Sequence, residues 1–236
     1  MIDELRLAAA HVLVDPAALA CDRVPLTARD AHHLSRVLRL RPGEVVTATD
    51  GAGRWRRCRW PAPPGQADLA ADGPIRTVAH PEPLITIGFA PVKGDRPEWT
   101  VQKLTELGVD RIVVLRTARS VVRFDDAKVQ RLHVVAREAV MQARRCHVPR
   151  IEGPIGLAEL PDAALAHPGG GAIGLATPTV LIGPEGGWDE AELGVARPRV
   201  DLGPTVLRAE TAALAAAVRL CCARDQQVPT ERGRII

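Results

Sequence analysis

Leu181-Ile182-Gly183-Pro184-Glu185-Gly186-Gly187 and, further on, Leu202-Gly203-Pro204-Thr205-Val206-Leu207-Arg208-Ala209-Glu210-Thr211-Ala212 decide how this chain folds. Each stretch begins as a short apolar strand pattern, turns at glycine and continues as a helical pattern. Thr179 to Ile182 is β-branched and apolar, as a buried strand requires. Gly183, Gly186 and Gly187 permit positive φ and close backbone approach. Asp189 and Glu192 have the spacing of a capping box, which predicts a helix from that point. The second stretch repeats the plan: a strand over Val200 to Leu202, a turn at Gly203-Pro204, and an alanine-rich helix from near Leu207 to about Ala223. Loops at strand C-termini are where open α/β sheets hold ligands.

The chemistry of these loops narrows the ligand. No Gly-Lys-Ser/Thr follows the glycines, so this is not a phosphate-binding P-loop, and no G-x-G-x-x-G is present. Backbone amides and carbonyls would stand beside Ile182, Leu202, Val206 and Leu207. That lining suits an adenine and a thioether better than a polyphosphate. On spacing alone, two ordinary strand–turn–helix connections remain an equal reading.

Outward from these loops, strands and helices alternate from Leu84 onward, which implies a mostly parallel sheet with helices on both faces. Strands are expected at Leu84 to Ala90, Arg111 to Leu115 and Ala172 to Ala176. A helix is expected from Arg96 to Leu107, with Asp95 and Glu98 as a capping box and Gly108 past its end. Trp99, Leu104 and Leu107 of that helix can face the core. Asp125 or Asp126 starts a longer helix to about Arg145, with Val129, Leu132, Val135 and Ala139 on one buried face. Gly169-Gly170-Gly171, within Pro168 to Ala176, is expected to form a mobile lid.

Residues 1–80 read differently. Short apolar stretches at His11 to Val14, Val45 to Ala48 and Ile75 to Val78 are broken by Pro, Gly and Asp. Asp50-Gly51-Ala52-Gly53 is a tight-turn signal, and Pro61 to Gly65 is a loop. One helix is expected from Ala28 to Leu38. The reading is a small β-rich domain over 1–80, joined by Pro81-Glu82-Pro83 to a second domain over 81–236. Arg54, Arg56, Arg57 and Arg59 interleave with Trp55 and Trp60. That pattern fits RNA contact and fits a half-buried strand, with the tryptophans in the core the favoured reading.

Composition excludes several classes. The 236 residues contain no apolar run of membrane-spanning length, and the N-terminus has no signal-peptide pattern. Five cysteines lack C-x-x-C spacing, so reduced thiols in a cytoplasmic protein are expected, with no metal. His32-His33 has no third ligand at suitable spacing. Charge is unevenly spread: residues 93–150 hold 13 basic and 7 acidic side chains, a net +6, whereas 151–236 hold 7 and 11, a net −4. A basic segment beside an acidic one suits a polyanionic partner.

Four co-ordered motifs carry a resemblance. They are the two glycine stretches, Lys93-Gly94-Asp95-Arg96 with Gln102-Lys103-Leu104-Thr105-Glu106-Leu107-Gly108, and His32-His33-Leu34-Ser35-Arg36-Val37-Leu38-Arg39. Together they resemble the SPOUT class of S-adenosylmethionine-dependent RNA methyltransferases, and more closely the RsmE family, which methylates N3 of a uridine in small-subunit ribosomal RNA. The resemblance spans nearly the whole chain. It implies a PUA-like β-barrel over 1–80, a trefoil knot at about 175–225 within 81–236, a homodimer, and S-adenosyl-L-methionine as cofactor.

On this resemblance, cofactor contacts fall to Leu181, Ile182, Gly183, Glu185, Gly186, Gly187, Leu202, Gly203, Val206, Leu207, Thr211 and Ala212. RNA contacts fall to His33, Arg36, Arg39, Lys93, Arg96, Gln142 and Arg145, with Gln102 and Arg123 also on the substrate side; for Lys93, Arg96, Gln102 and Arg123 a structural salt bridge is an equal reading. Methyl transfer to uracil N3 needs a group that takes the N3 proton or steadies the resulting anion. Arg208 and Glu210 are the catalytic candidates. A structural ion pair capping the last helix is the competing reading for Glu210. One departure stands out: where the family has Glu-Gln-Ser/Cys-x-Arg, this chain has Met141-Gln142-Ala143-Arg144-Arg145. That keeps open a non-catalytic RNA-binding assembly factor; a ribose 2′-O-methyltransferase of the same class is a second alternative, against which the N-terminal domain and the Leu207-Arg208-x-Glu210-Thr211 motif argue.

Overall fold

The computed structural model describes residues 2–61, 68–120, 122, 124–194 and 196–227. The chain divides into two compact units: the chain up to His80 together with Arg137–Val148, and Pro81–Ala136 together with the chain from Pro149 onward.

The first unit contains α1 (Ile2–Leu7), β1 (Ala10–Leu13), β2 (Arg23–Val24), α2 (Ala28–His32), β3 (Val45–Thr49), β4 (Arg54–Arg59), β5 (Leu69–Ala71) and β6 (Arg76–Thr77). The sheet order is β1-β3-β4-β5-β2, with β6 also on β4. β1 and β3 run parallel and the other pairs antiparallel. The β3–β4 hairpin turns at Asp50–Gly53, as its residues predict. Asp50 Oδ1 accepts from the amides of Ala52 at 2.8 Å and Arg54 at 3.1 Å. Of the loop at Pro61 to Gly65, residues 62–65 lie outside the described residues.

Val12, Leu19, Val24, Leu34, Val46 and Leu69 form the core of this unit. Trp55 is fully buried and packs with Leu5 and Cys146. Arg56 is buried too, and its guanidinium donates to the carbonyls of Leu19, Cys21 and Gly73. Strand packing therefore accounts for much of the Arg/Trp alternation. The single helix expected over Ala28 to Leu38 changes pitch. Thr27 caps α2 by accepting from Asp30 N, and the chain then widens into a π turn over His33–Val37. No disulfide joins any of the five cysteines, and burial pushes the Cys58 and Cys146 thiols up to about 11.

Buried His11 makes the unit sensitive to acid. Its Nδ1 pairs with Thr47 Oγ1 at 2.7 Å and its Nε2 with the Arg145 carbonyl at 3.0 Å. Burial lowers its pKa from 6.5 to about 4. The unfolded chain therefore binds a proton between those values that the folded unit does not. Stability is fully present above the unfolded pKa and is lost as pH falls towards the folded one. Urea unfolding should show a loss of about 2 kcal/mol between pH 7 and pH 5. His11→Gln should flatten that slope, and an unchanged slope would contradict the assignment.

The second unit contains β7 (Thr86–Phe89), α3 (Arg96–Leu107), β8 (Arg111–Arg116), α4 (Asp126–Ala143, of which Arg137 onward belongs to the first unit), β9 (Arg150–Gly156), β10 (Ala164–Ala172), β11 (Thr179–Ile182), α5 (Glu190–Gly194), β12 (Arg199–Asp201) and α6 (Ala209–Gln227). Its six strands are all parallel, in the order β12-β10-β11-β7-β8-β9. The α/β class and the parallel sheet match the expectation. Ile87, Ile112, Val114 and Val180 fill the core against Leu104 of α3 and Ala213, Ala216 and Ala217 of α6. The small alanines let α6 approach closely.

Four details differ from the reading of the sequence. Asp95 makes no side-chain cap on α3, and Glu98 instead pairs with Arg131 at 3.0 Å. Trp99 is 44% exposed rather than in the core. β9 was not foreseen, because its Gly153-Pro154 reads as a loop; such a strand is tolerated at the sheet edge it occupies. The strand expected over Ala172 to Ala176 ends at Ala172 and begins earlier, so the triple glycine lies within β10 rather than in a separate lid. There a Cβ on Gly170 would stand 2.7 Å from the backbone of Arg199 and Val200, so glycine gives the strand its close fit.

Candidate functional site

The two decisive stretches leave the C-terminal ends of β11 and β12 and face one another across a cavity of about 340 Å³. Small-molecule sites run from about 300 to 1,000 Å³. Gly183 is held by proximity: a Cβ there would come within 2.9 Å of the Trp188 ring. Trp188 is buried and donates Nε1–H to the Ala166 carbonyl at 2.9 Å, which ties the loop to β10. The loop closes when the Gly187 amide donates to the Pro184 carbonyl at 2.8 Å. The capping box foreseen at α5 is present, with Glu192 accepting from Asp189 N at 2.8 Å.

Of the residues named for cofactor contact, Ile182, Gly183, Glu185, Gly187, Leu202, Gly203, Val206, Leu207 and Ala212 line this cavity. Leu181, Gly186 and Thr211 do not. Strand alternation turns Leu181 the other way, into a cluster with Leu115 and Leu165. Gly186 lies against Arg119, whose Nη1 donates to its carbonyl at 3.0 Å. Thr211 is exposed on α6. The sequence reading missed Ala166, His167 and Pro168 of β10, and also Trp188, Asp201 and Thr205. A large aromatic directly after two glycines was the available signal for Trp188. Nothing local marked His167.

A second arrangement involves the catalytic candidates. Glu210 lies in the first turn of α6, and its Oε1 is 3.0 Å from Arg96 Nη1. The same Nη1 is 3.8 Å from Glu185 Oε1, on the first glycine loop. Glu210 Oε2 is buried, and among the described residues nothing donates to it. Arg208 precedes the helix, where its carbonyl accepts from Ala212 N at 2.8 Å, and its side chain is exposed. Glu210 is thus paired with Arg96 rather than with Arg208.

The RNA-contact set divides between the units. His33, Arg36 and Arg39 are exposed on the π turn and just beyond it, and Gln142 is exposed near the end of α4, with Arg145 half-buried; all belong to the first unit. Met141 and Ala143 are half-buried beside Gln142. Lys93 is exposed in the second unit, where Arg96 is engaged by the two carboxylates. Arg123 lies outside the described residues. Among the described residues no His, Cys, Asp and Glu side chains gather into a group that could hold a metal ion. No helix there is long and apolar enough to cross a membrane.

The family model for the RNA methyltransferase domain matches residues 80–220, and that for the RNA methyltransferase PUA domain matches 26–59. The chain belongs to this RNA methyltransferase family. Ribosomal RNA small subunit methyltransferase E of Mycobacterium bovis is 32% identical over 220 residues, covering 79% of this chain and 81% of that protein. The protein of the same name from Synechocystis is 31% identical over 228 residues, covering 86% and 74%. The crystal structure of a ribosomal RNA small subunit methyltransferase E from Neisseria gonorrhoeae bound to S-adenosyl methionine has a TM-score of 0.74 at 29% identity, covering 88% of this chain and 94% of that one. The resemblance read from the four motifs therefore holds. In this RNA methyltransferase the matched segment contains both glycine loops, Arg96, Arg208 and Glu210.

Proposed function

We propose that this protein transfers a methyl group from S-adenosylmethionine to N3 of a uridine in small-subunit ribosomal RNA. The observation that carries the reading is the cavity between two glycine loops, with a buried carboxylate oxygen lacking a donor at the start of the adjoining helix. The walls fit the cofactor: Ile182, Leu202 and Leu207 suit an adenine and a thioether, and the loop backbones offer amides and carbonyls. Glu185 puts a carboxylate on the wall of a site for a cationic ligand. When bound, S-adenosylmethionine supplies an electrophilic methyl on a sulfonium centre.

The chain supplies position and proton transfer. Arg96 fixes one oxygen of Glu210, which leaves Oε2 to accept the proton from N3. Arg208, exposed and without an acidic partner among the described residues, steadies the negative charge left on the uracil. Matches to relatives named for the small-subunit RNA support the substrate class.

The first unit is a PUA-like β-barrel that grips RNA through His33, Arg36 and Arg39, with Gln142 and Arg145. The chain from about 175 to 225 forms a trefoil knot, and the enzyme works as a cytoplasmic homodimer. The sheet order supports the knot: β10 lies between β11 and β12, which follow one another in the chain apart from α5. Arg36→Ala with Arg39→Ala should weaken RNA binding and reduce the slope of log affinity against log salt by about 2. A slope equal to the parent's would remove these contacts.

The test of function is incubation with small ribosomal subunits and S-adenosylmethionine, followed by mass spectrometry of the RNA. One methyl on the base of a single uridine is expected. A methyl on ribose, or none, overturns the proposal.

A further inference from the structure

β10 carries a local excess of chain. Ala166 and Gly171 both register with Val200 of β12, so His167, Pro168, Gly169 and Gly170 leave the ladder between them. Bulges of this kind re-aim side chains beside active sites. Here His167 and Pro168 become part of the cavity wall. Gly203, which begins the second glycine loop, also lines the cavity.

One side chain holds both segments. Asp201, the last residue of β12, accepts from Gly169 N through Oδ2 at 2.7 Å and from Gly203 N through Oδ1 at 2.8 Å. The bond to Gly203 is the short-range contact that an Asp makes to a backbone amide two residues on. The bond to Gly169 reaches a different strand and has no such local explanation. Both glycines have positive φ, +78° and +131°, so each loop adopts a backbone that few other residues take up, and each is anchored there by the same carboxylate. These two amides hold the Asp201 carboxyl below the usual carboxylate range, and Arg219 and His167 nearby act in the same direction.

We propose that Asp201 is a positioning residue for the cofactor: by bonding Gly169 and Gly203 it holds the β10 bulge, which carries His167 and Pro168, against the second glycine loop and so sets the shape of that side of the S-adenosylmethionine cavity. This rests on the reading of the cavity as the cofactor site. Alanine removes both acceptors. Asparagine keeps the shape but has one acceptor oxygen and turns a donor towards the second amide.

The test compares the full-length parent with Asp201→Ala and Asp201→Asn. It uses calorimetric titration with S-adenosylmethionine, steady-state methylation of small subunits and thermal melting. Hydrogen bonds to a charged group correspond to losses of roughly tenfold to a hundredfold, so both variants should bind the cofactor that much more weakly. Their KM for the cofactor should rise in step, with kcat at saturating cofactor and the KM for RNA close to the parent's. A parent that does not bind the cofactor overturns the site reading, and this inference with it. A parent that binds, with variants of equal affinity, overturns this inference alone. So does a fall in kcat at unchanged cofactor KM, or failure of both variants to fold, since either makes Asp201 something other than a positioning residue.

Discussion

Glu210→Gln is expected to slow methylation of small-subunit RNA by about 100-fold to 10,000-fold, the usual contribution of a positioned general base. The substitution keeps the size of the side chain and an oxygen for Arg96 while removing the ability to take a proton. Glu210 does not line the cavity, so the dissociation constant for S-adenosylmethionine should stay near the parent's. That split separates the proposed role from the competing one. If Glu210 only pairs with Arg96 to secure the start of α6, Glu210→Gln should lower the melting temperature and leave turnover of the folded enzyme near the parent's. Arg208→Ala should also lower kcat without unfolding the chain, because its side chain is exposed. Turnover within about threefold of the parent for both variants would remove the proposed proton transfer and charge stabilisation.

The second large effect concerns stability. Arg224 of α6 is 3% exposed and pairs with Asp110, while its guanidinium also donates to the carbonyls of Pro83 at 3.2 Å and Gly108 at 3.0 Å. Asp110 accepts in turn from Ile85 N at 2.9 Å. The pair thus fastens the last helix to the entry of β7 and to the turn between α3 and β8. Arg224→Met leaves a buried carboxylate without its cation and two carbonyls without that donor. Breaking one side of such a buried pair costs about 3–5 kcal/mol. Urea unfolding should show that loss, and Arg224→Met combined with Asp110→Asn should recover part of it, since the uncompensated charge is then gone. A single-variant loss below about 1 kcal/mol would mean that the pair holds little.

How far residues alone revealed this protein varies with the range of the interaction. The strand–glycine–helix units at 179–194 and 199–227 were legible because strand propensity, glycine turns and caps are local. So were the Asp50–Gly53 hairpin and the C-terminal glycine of α3, with Gly108 at φ +98°. β10 was not legible, because Pro168 and three glycines carry every mark of a loop, and its register with β12 breaks between Ala166 and Gly171. The Asp95–Glu98 box failed because Arg131, distant in sequence, is Glu98's partner.

The site shows the same division. Its glycines and apolar walls could be read along the chain, whereas the pairing of Arg96 with Glu210 is a tertiary contact with no local trace. Arg208, two residues from Glu210 in sequence, is not its partner: Arg208 lies before the helix and Glu210 within its first turn, so the two side chains leave the backbone in different surroundings. The four-motif resemblance located the region, and the geometry assigned distinct positions to its members.

The most direct test of the central claim is a crystal structure of this chain with S-adenosylmethionine. The account predicts the cofactor between the loops at Gly183–Gly187 and Leu202–Leu207, with its methyl on the side of Arg208 and Glu210. Cofactor bound elsewhere, or with its methyl turned away from both side chains, would contradict it.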